Sequence, residues 1–351
     1  MALRVIQWAS GGVGRAAMAG VVAHPELELV GCWVHSREKA GRDLGELIGG
    51  EPLGVAATGD IDDLLALEAE CVIYSPLMAD PSVVARLLRS GKNVVTPLNW
   101  FFPGGRDESL VEAACAEGRT SLHGTGIHPG GITERFPLAV SALSQSITHV
   151  RAEEFSDIRS YGAPDVVGDI MLFGRTPEEA ANSPMPAILG DGFGQSIAMT
   201  GHALGFGLDP GLKVTHEVAV ATAAIDSPIG PIRPGCIAAQ KFCWEASVRG
   251  RPVISVRTNW FMGDEHLDPA WTFGPEGERF EVGITGDPST LVTFHGLHPA
   301  SVAAGLLRNP GVVATATHCV SAVPAVVAAQ PGIRTYLDLP SYSGRAASHL
   351  R

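Results

Sequence analysis

The chain has 351 residues, of which 45% are hydrophobic and 18% are charged. This length and composition predict a globular protein of two domains and exclude a disordered chain. The formal charge of −12 argues against nucleic acids and anionic membrane surfaces as partners.

The first predicted unit is a strand, a glycine turn and a helix. Val5 and Ile6 begin an apolar strand, and residues 15–23 read as a helix. Between them, Ala9 occupies the first glycine position of a G-x-G-x-x-G pattern. The pattern predicts the phosphate-binding corner of a dinucleotide fold, with an ordinary strand-to-helix turn as the alternative. The predicted phosphate-binding residues are Ala9, Ser10, Gly11, Gly12, Val13 and Gly14.

The end of the second predicted strand bears on the choice of cofactor. An NAD-preferring site usually places an acidic residue there, which bonds the ribose 2′-hydroxyl. Here the strand ends in His35, Ser36 and Arg37, and Lys39 follows closely. A guanidinium and a hydroxyl suit a 2′-phosphate, so we expect NADP(H) rather than NAD(H). The alternative is a solvated basic loop.

Short strands then alternate with helices of about ten residues. This rhythm is typical of a doubly wound parallel sheet, a Rossmann fold, which we predict over residues 1–147. Ligands of such sheets bind beyond the carboxyl ends of the strands, and Ser75 and Pro76 lie at the end of one predicted strand.

Six longer strands follow in succession and predict an open mixed sheet in an α+β second domain over residues 148–298. They cover residues 148–158, 212–224, 240–249, 252–260, 279–284 and 291–295. We expect a helical insertion near residues 165–208, and C-terminal helices within 299–340 that pack back on the first domain. The open sheet leaves a face to cover, so we also expect a homodimer.

The C-terminal apolar run 310–329 is long enough to span a bilayer, but it contains two prolines, a histidine and several hydroxyl residues. We interpret it as a buried helical segment. The six cysteines show no C-x-x-C spacing, and no charged-then-apolar leader precedes the first strand. These features predict a cytoplasmic protein without a disulfide framework.

Several motifs resemble the dihydrodipicolinate reductase-like superfamily, in the branch of 2,4-diaminopentanoate dehydrogenase and the native amine dehydrogenases. They are the runs 91–96 (GKNVVT), 124–130 (GTGIHPG), 128–136 (HPGGITERF) and 136–138 (FPL). The resemblance implies NAD(P)H-dependent hydride transfer at a carbon that bears nitrogen. It also implies a catalytic glutamate soon after the Asn-Val-Val-Thr strand, where this chain has Asn99. The sequence has no adjacent histidine pair, so dihydrodipicolinate reductase activity itself is not expected.

An amide cannot take up a proton near neutral pH, so another group must manage the proton if one is transferred. We predict Asn99, His128 and Asp157 as the catalytic residues, with Asn99 bonding a carbonyl oxygen or the nicotinamide amide. The alternative for Asn99 is a turn residue. Glu154 and Glu108 are the alternative carboxylates. The predicted substrate pocket contains Trp100, Phe101, Glu154 and Phe173.

The sequence thus predicts an NADP(H)-dependent oxidoreductase that acts on a C=N or C=O bond of a hydrophobic ketone, imine or amine, with ammonia as a further reactant. The alternative is an NADP-binding protein with little or no dehydrogenase activity, because Asn99 replaces the glutamate. We expect no metal, because the histidines at 216 and 266 lack H-E-x-x-H or comparable spacing.

Overall fold

The computed structural model describes residues 2–105, 107–181 and 183–350. The chain divides into two compact units. The first unit contains the residues up to Gly131 and those from Val312 onward, and the second contains Ile132–Gly311.

The strands and helices are numbered along the chain. The strands are β1 (Leu3–Trp8), β2 (Leu27–Trp33), β3 (Cys71–Tyr74), β4 (Asn93–Thr96), β5 (Ser121–Gly124), β6 (Ser146–Asp157), β7 (Lys213–Ala221), β8 (Ile237–Val248), β9 (Arg251–Phe261), β10 (Leu267–Asp268), β11 (Arg279–Asp287), β12 (Thr290–Phe294) and β13 (Gly332–Ile333). The α-helices are α1 (Gly12–Ala23), α2 (Leu44–Leu47), α3 (Ile61–Ala66), α4 (Pro81–Arg89), α5 (Glu108–Gly118), α6 (Phe136–Ser141), α7 (Pro177–Ala180), α8 (Met185–Leu204), α9 (Val302–Leu307) and α10 (Pro310–Val327). Single turns of π-helix cover Gly131–Arg135 and Val166–Ile170.

The first unit is built on a six-stranded parallel sheet with the order β13-β5-β4-β3-β1-β2. This Rossmann-like sheet confirms the predicted fold class. Local sequence explains its helices, as α4 illustrates. Asp80 accepts hydrogen bonds from the backbone N–H groups of Ser82 and Val83, and Pro81 occupies the first turn.

Two hydrophobic cores cover the sheet of the first unit. One contains residues of α1 and α10, and the other contains residues of α4 and α5. The segment 302–327 is long and apolar enough to cross a membrane by length and composition. Six residues of α10 are nevertheless buried in the first core, which makes α10 a core helix, as predicted. They are Ala316, Cys319, Val320, Ala322, Val323 and Val326.

The second unit is built on a seven-stranded mixed sheet with the order β10-β7-β8-β9-β6-β11-β12. Within the described part of this second sheet, β6 and β9 are the only parallel neighbours, and the other pairs are antiparallel. Helices α6 and α8 pack on this sheet, where Phe193 of α8 lies 4.8 Å from Trp244 of β8, measured between ring centroids. Each of the six predicted strands overlaps an observed strand, which confirms the predicted open mixed sheet.

The unit boundaries differ from the predicted domain limits at 147 and 298. Residues 132–147 belong to the second unit because α6 packs on β6, β11 and α8. Helix α9 also belongs to the second unit, because it packs against the turn Ile158–Ser160 at Gly305. Of the two predicted C-terminal helices, only α10 contributes to the core of the first unit.

Candidate active site

The turn between β1 and α1 has the geometry of a phosphate-binding corner. A Cβ atom on Gly14 would lie 2.0 Å from the carbonyl oxygen of Ala9, so only glycine allows this contact. A Cβ atom on Gly11 would meet no atom within 4 Å. Gly11 is also the N-cap of α1, and no side chain caps the helix. The first turn therefore presents open space, backbone N–H groups and a positive dipole end, which fits a pyrophosphate.

A buried amide, which sequence reasoning missed, fixes this corner. Gln7 donates hydrogen bonds to the carbonyl oxygen of Ala9 at 3.0 Å and to Ser75 Oγ at 2.8 Å. It thereby links the carboxyl ends of β1 and β3. The feature of the sequence that could have revealed it is the polar Gln7 among the apolar residues Val5, Ile6 and Trp8 of the same strand. Ser10 and Ser75 are buried, whereas Pro76 is partly exposed.

The residues after β2 carry positive charge near the corner. His35 and Arg37 are exposed, and Ser36 is partly exposed. The ammonium of Lys39 lies 3.4 Å from the carbonyl oxygen of Ser10. The structure therefore places Lys39 directly beside the turn between β1 and α1.

Asn99 is a turn residue in this structure. It is 3% exposed, and its Oδ1 accepts the backbone N–H of Trp100 at 2.6 Å. Trp100 has a φ of 61°, and its carbonyl oxygen accepts the N–H of Gly124 at 3.2 Å. The side chain of Trp100 lies in the core on the α4–α5 side of the sheet, and Phe101 is fully buried. Of the predicted pocket residues, Trp100 is thus a core side chain.

The carboxylate of Glu108 interacts with backbone close to it in the sequence. Its Oε2 accepts the backbone N–H of Gly104 at 2.6 Å, and it stands in the first turn of α5, where a carboxylate interacts favourably with the helix dipole.

His128 lies in the turn after β5. Burial lowers the pKa of its imidazole to about 3, so the ring is neutral near pH 7. A neutral imidazole cannot serve as a general acid, so this shift argues against His128 as a proton donor at neutral pH. The turn is tight, because a Cβ atom on Gly130 would lie 2.2 Å from the carbonyl oxygen of Gly126.

Asp157 ends β6 in an ion pair with Arg159. Both of its carboxylate oxygens lie 3.0 Å from Nε of Arg159. Its own backbone N–H donates to Oε1 of Glu278 at 2.8 Å. The guanidinium of Arg159 therefore occupies both carboxylate oxygens of Asp157.

On the opposite face of β6, Glu154 and Ser156 form a polar cluster with His298. Ser156 Oγ lies 2.7 Å from Glu154 Oε1 and 2.9 Å from His298 Nε2. Burial raises the pKa of Glu154, while hydrogen bonds from Ser156 and Trp260 oppose that rise. Glu154 is therefore the predicted carboxylate whose surroundings favour its protonated form. His298 was not predicted from the sequence.

Phe173 is buried beneath a surface groove of about 460 Å³. The groove is also lined by Asp169 and Arg175, which form a 2.8 Å ion pair. The structure thus places this predicted pocket residue next to charged side chains.

Glu134 is a second buried acid that sequence reasoning missed. It lies in the π-helical turn Gly131–Arg135, is 0% exposed, and bonds Ser196 Oγ through Oε1 at 2.5 Å. Its Oε2 has no hydrogen-bond partner within the part of the chain that the structure describes. Burial raises its pKa well above the usual range. No periodic pattern marks this residue, because the segment 130–135 is neither a regular helix nor a strand.

Comparisons with known proteins decide the family. The family model for the C-terminal domain of 2,4-diaminopentanoate dehydrogenase matches residues 132–348. An amine dehydrogenase of Streptomyces virginiae is 32% identical over 96% of both chains. The chain belongs to the amine dehydrogenase family. The 2,4-diaminopentanoate dehydrogenase of Acetoanaerobium sticklandii is 25% identical, over 66% of this chain and 60% of that protein.

A solved structure supports the fold of this amine dehydrogenase family member. The amine dehydrogenase from Mycobacterium smegmatis is 21% identical and has a TM-score of 0.78, with 98% of this chain and 97% of that chain covered. The relatives and the fold make the protein an amine dehydrogenase-like, NAD(P)-dependent oxidoreductase.

The structure shows no candidate metal centre in the described ranges 2–105, 107–181 and 183–350. No group of three or more His, Cys, Asp or Glu side chains there could hold a metal ion. His216, which invited a metal hypothesis, instead bonds Gln240 Oε1 through Nε2 at 3.0 Å and stacks on Phe242.

Proposed function

We propose that the protein is an NADP(H)-dependent dehydrogenase that transfers hydride to or from the C=N or C=O carbon of a hydrophobic ketone, imine or amine. The observation that carries the proposal is the nucleotide corner. The Gly14–Ala9 contact and the open space at Gly11 leave room for a pyrophosphate at the uncapped start of α1. The name of the Streptomyces virginiae relative supports an amine as one form of the substrate.

The residues after β2 support NADP(H) over NAD(H). The guanidinium of Arg37 can donate two hydrogen bonds to a 2′-phosphate, and the hydroxyl of Ser36 can donate a third. Lys39, beside Ser10, adds positive charge next to the phosphates. No acidic residue occupies positions 33–37, where an NAD site would bond the ribose.

When bound, NADP(H) supplies or accepts the hydride. The protein must bind the cofactor, orient the substrate and transfer the proton. The turn 9–14 would hold the pyrophosphate, and residues at the strand ends of the first unit would hold the nicotinamide. Asn99 supplies no titrating group, and its Oδ1 already serves the turn. The proton must therefore be handled by a different residue from the one that the family resemblance implies.

The deciding experiment measures NADPH oxidation against a panel of hydrophobic ketones, with and without ammonia. Turnover that requires ammonia is the expected result for an amine dehydrogenase. Turnover without ammonia would establish carbonyl reduction instead. Tight NADPH binding without turnover on ketones, ammonia or preformed imines would contradict the proposal. It would favour an NADP-binding protein without dehydrogenase activity, the alternative that the Asn99 substitution supports.

We also propose a cytoplasmic homodimer. The sheet face of the second unit that carries Glu153 has a groove of about 420 Å³ lined by both signs of charge. Lys213 lies opposite Glu245 and Glu217 opposite Lys241 in the β7–β8 register, so a two-fold axis can set opposite charges against each other. Light scattering after size-exclusion chromatography should give twice the 36.7 kDa chain mass. A single-chain mass at micromolar concentration would contradict the dimer.

A further inference from the structure

Each carbonyl oxygen of the turn between β1 and α1 faces a hydrogen-bond donor of the protein. The carbonyl oxygen of Ala9 accepts from Gln7 Nε2 at 3.0 Å. The carbonyl oxygen of Ser10 lies 3.4 Å from the ammonium of Lys39, and that of Gly11 accepts a backbone N–H of α1 at 2.9 Å. These donors offset the negative ends of the three carbonyl dipoles, which would otherwise disfavour an anion at the turn.

The backbone N–H groups of the same turn are not used in this way. Those of Ser10 and Gly11 donate to no acceptor within the residues that the structure describes. The N–H groups of Gly12 and Val13 begin α1 and therefore have no acceptor inside the helix. The turn thus combines covered acceptors with available donors, and that combination suits a phosphate group.

The side chain of Gln7 sets the orientation of the peptide between Ala9 and Ser10. This peptide is trans, so its C=O and its N–H point in opposite directions. The carbonyl oxygen of Ala9 points toward the amide of Gln7, which is 1% exposed, and toward Gly14, whose Cβ atom would lie 2.0 Å from it. The N–H of Ser10 therefore points away from this buried amide.

The neighbours of Gln7 fix which end of its amide faces the turn. Nε2 also lies 2.9 Å from the carbonyl oxygen of Trp8 and 2.8 Å from Ser75 Oγ. An inverted amide would set its oxygen against the carbonyl oxygens of Trp8 and Ala9, so the NH2 group must face the turn. Oε1 is buried and has no hydrogen-bond partner among the described residues. The NH2 group is therefore the part of this side chain that serves the turn.

We propose that Gln7 is a positioning residue for the cofactor: its buried NH2 group keeps the Ala9 carbonyl turned inward and so presents the N–H of Ser10 to the pyrophosphate of NADP(H). This inference rests on the proposed dehydrogenase function, and all of the residues involved belong to the first unit. Without the NH2 group, the peptide between Ala9 and Ser10 can flip. A flip would replace a donor by an acceptor at the point where the negative charge of the cofactor is bound.

Binding of two ligands to Gln7→Met tests this role, because methionine has a similar length but no donor. Calorimetric titration should show the Kd for NADPH at least about tenfold higher. Adenosine 2′-monophosphate has the 2′-phosphate but no pyrophosphate, and its Kd should change less than about twofold. Equal NADPH affinity of Gln7→Met and wild type, or equal weakening of both ligands, would overturn the role.

Gln240→Met is the matched control for this experiment. Gln240 is also a strand glutamine that is 1% exposed, and its Nε2 donates to the carbonyl oxygen of Met171 at 2.6 Å in the second unit. The control variant loses hydrogen bonds of the same kind but none at the turn between β1 and α1. It should therefore leave both Kd values unchanged, and a loss of NADPH affinity equal to that of Gln7→Met would overturn the role.

A second measurement needs no variant. In ¹⁵N-labelled wild-type protein, saturating NADP⁺ should slow the hydrogen exchange of the Ser10 amide at least about tenfold, because its N–H then bonds a phosphate oxygen. Unchanged exchange of this amide in the NADP⁺ complex would overturn the role.

A crystal structure of unliganded Gln7→Met separates this role from the proposed function. An Ala9 carbonyl turned outward is the expected result, and the wild-type orientation would overturn the role. If the wild-type protein binds neither NADPH nor NADP⁺, the proposed function fails, whereas the orientation of Ala9 in the variant still decides what Gln7 does.

Discussion

The Cβ atom that Gly14 lacks would lie 2.0 Å from the carbonyl oxygen of Ala9. The contact joins the end of β1 to the first turn of α1 and leaves no room for a side chain. The same turn contains Gly11, where a Cβ atom would meet nothing within 4 Å. One glycine is therefore required by packing, and the other is free for a ligand to approach.

Substitution by alanine should have different effects on stability and NADPH binding at these two glycines. Gly14→Ala forces α1 away from β1, and we expect it to cost about 2 kcal/mol or more in the free energy of unfolding. Gly11→Ala should leave the unfolding free energy within about 0.5 kcal/mol but weaken NADPH binding at least about tenfold, because its methyl group occupies the space for phosphate. Urea denaturation and NADPH fluorescence titration measure the two effects. Equal losses of stability in both variants would contradict this division of roles.

Replacement of Ala9 by glycine should increase the free energy of unfolding. The φ of Ala9 is 75°, in the left-handed region that costs a residue with a Cβ atom roughly 1–2 kcal/mol. Because glycine also loses more entropy on folding, we expect Ala9→Gly to raise the unfolding free energy by only about 0.5–1 kcal/mol. The control is Ala19→Gly on the exposed side of α1, which should lower it by about 1 kcal/mol. A loss of stability in Ala9→Gly would show that the turn is not strained by Ala9.

The sequence was sufficient to predict the first sheet and its opening strand–turn–helix unit, because both depend on local patterns. The glycine spacing at 9–14 and the alternation of short strands with helices needed no knowledge of distant contacts. The turn after β4 could not be predicted in the same way. Whether Asn99 points into a cleft or bonds Trp100 depends on the left-handed φ of Trp100 and its contact with Gly124.

Arg37 should determine cofactor preference. Loss of the charge-assisted hydrogen bonds to the 2′-phosphate reduces the binding free energy by about 1.5–3 kcal/mol. Arg37→Ala should therefore weaken NADPH binding about 10- to 100-fold. NADH lacks that phosphate, and its Kd should change less than about threefold. Arg42→Ala, also an exposed arginine of this loop, is the matched control and should change neither Kd substantially. Equal weakening of NADPH and NADH in Arg37→Ala would contradict the assignment.

In the second unit, the alternation of side chains along a strand is enough to put Glu154 and Ser156 on one face of β6 and Asp157 on the other. It could not supply His298, which follows β12 and reaches Ser156 from 142 positions away. It also could not reveal that Arg159 pairs with Asp157, or that Ser196 of α8 bonds Glu134. Such partners are fixed by tertiary packing, and they decide which carboxyl group can exchange a proton.

Glu134 should make stability fall as the pH rises. Burial raises its pKa in the folded state, so the folded protein keeps a proton that the unfolded chain releases above pH 4.5 or so. Its stabilising contribution is complete below that pH and is lost as the pH rises toward the folded pKa, by up to about 1.4 kcal/mol per pH unit. Glu134→Gln cannot ionise and can keep the bond to Ser196. Its unfolding free energy, measured by urea denaturation, should therefore gain on the wild type steadily from pH 5 to 8. Glu28→Gln, at an exposed position of β2, is the control and should show no such trend. A difference between Glu134→Gln and wild type that does not vary with pH would mean that Glu134 is ionised in the folded protein.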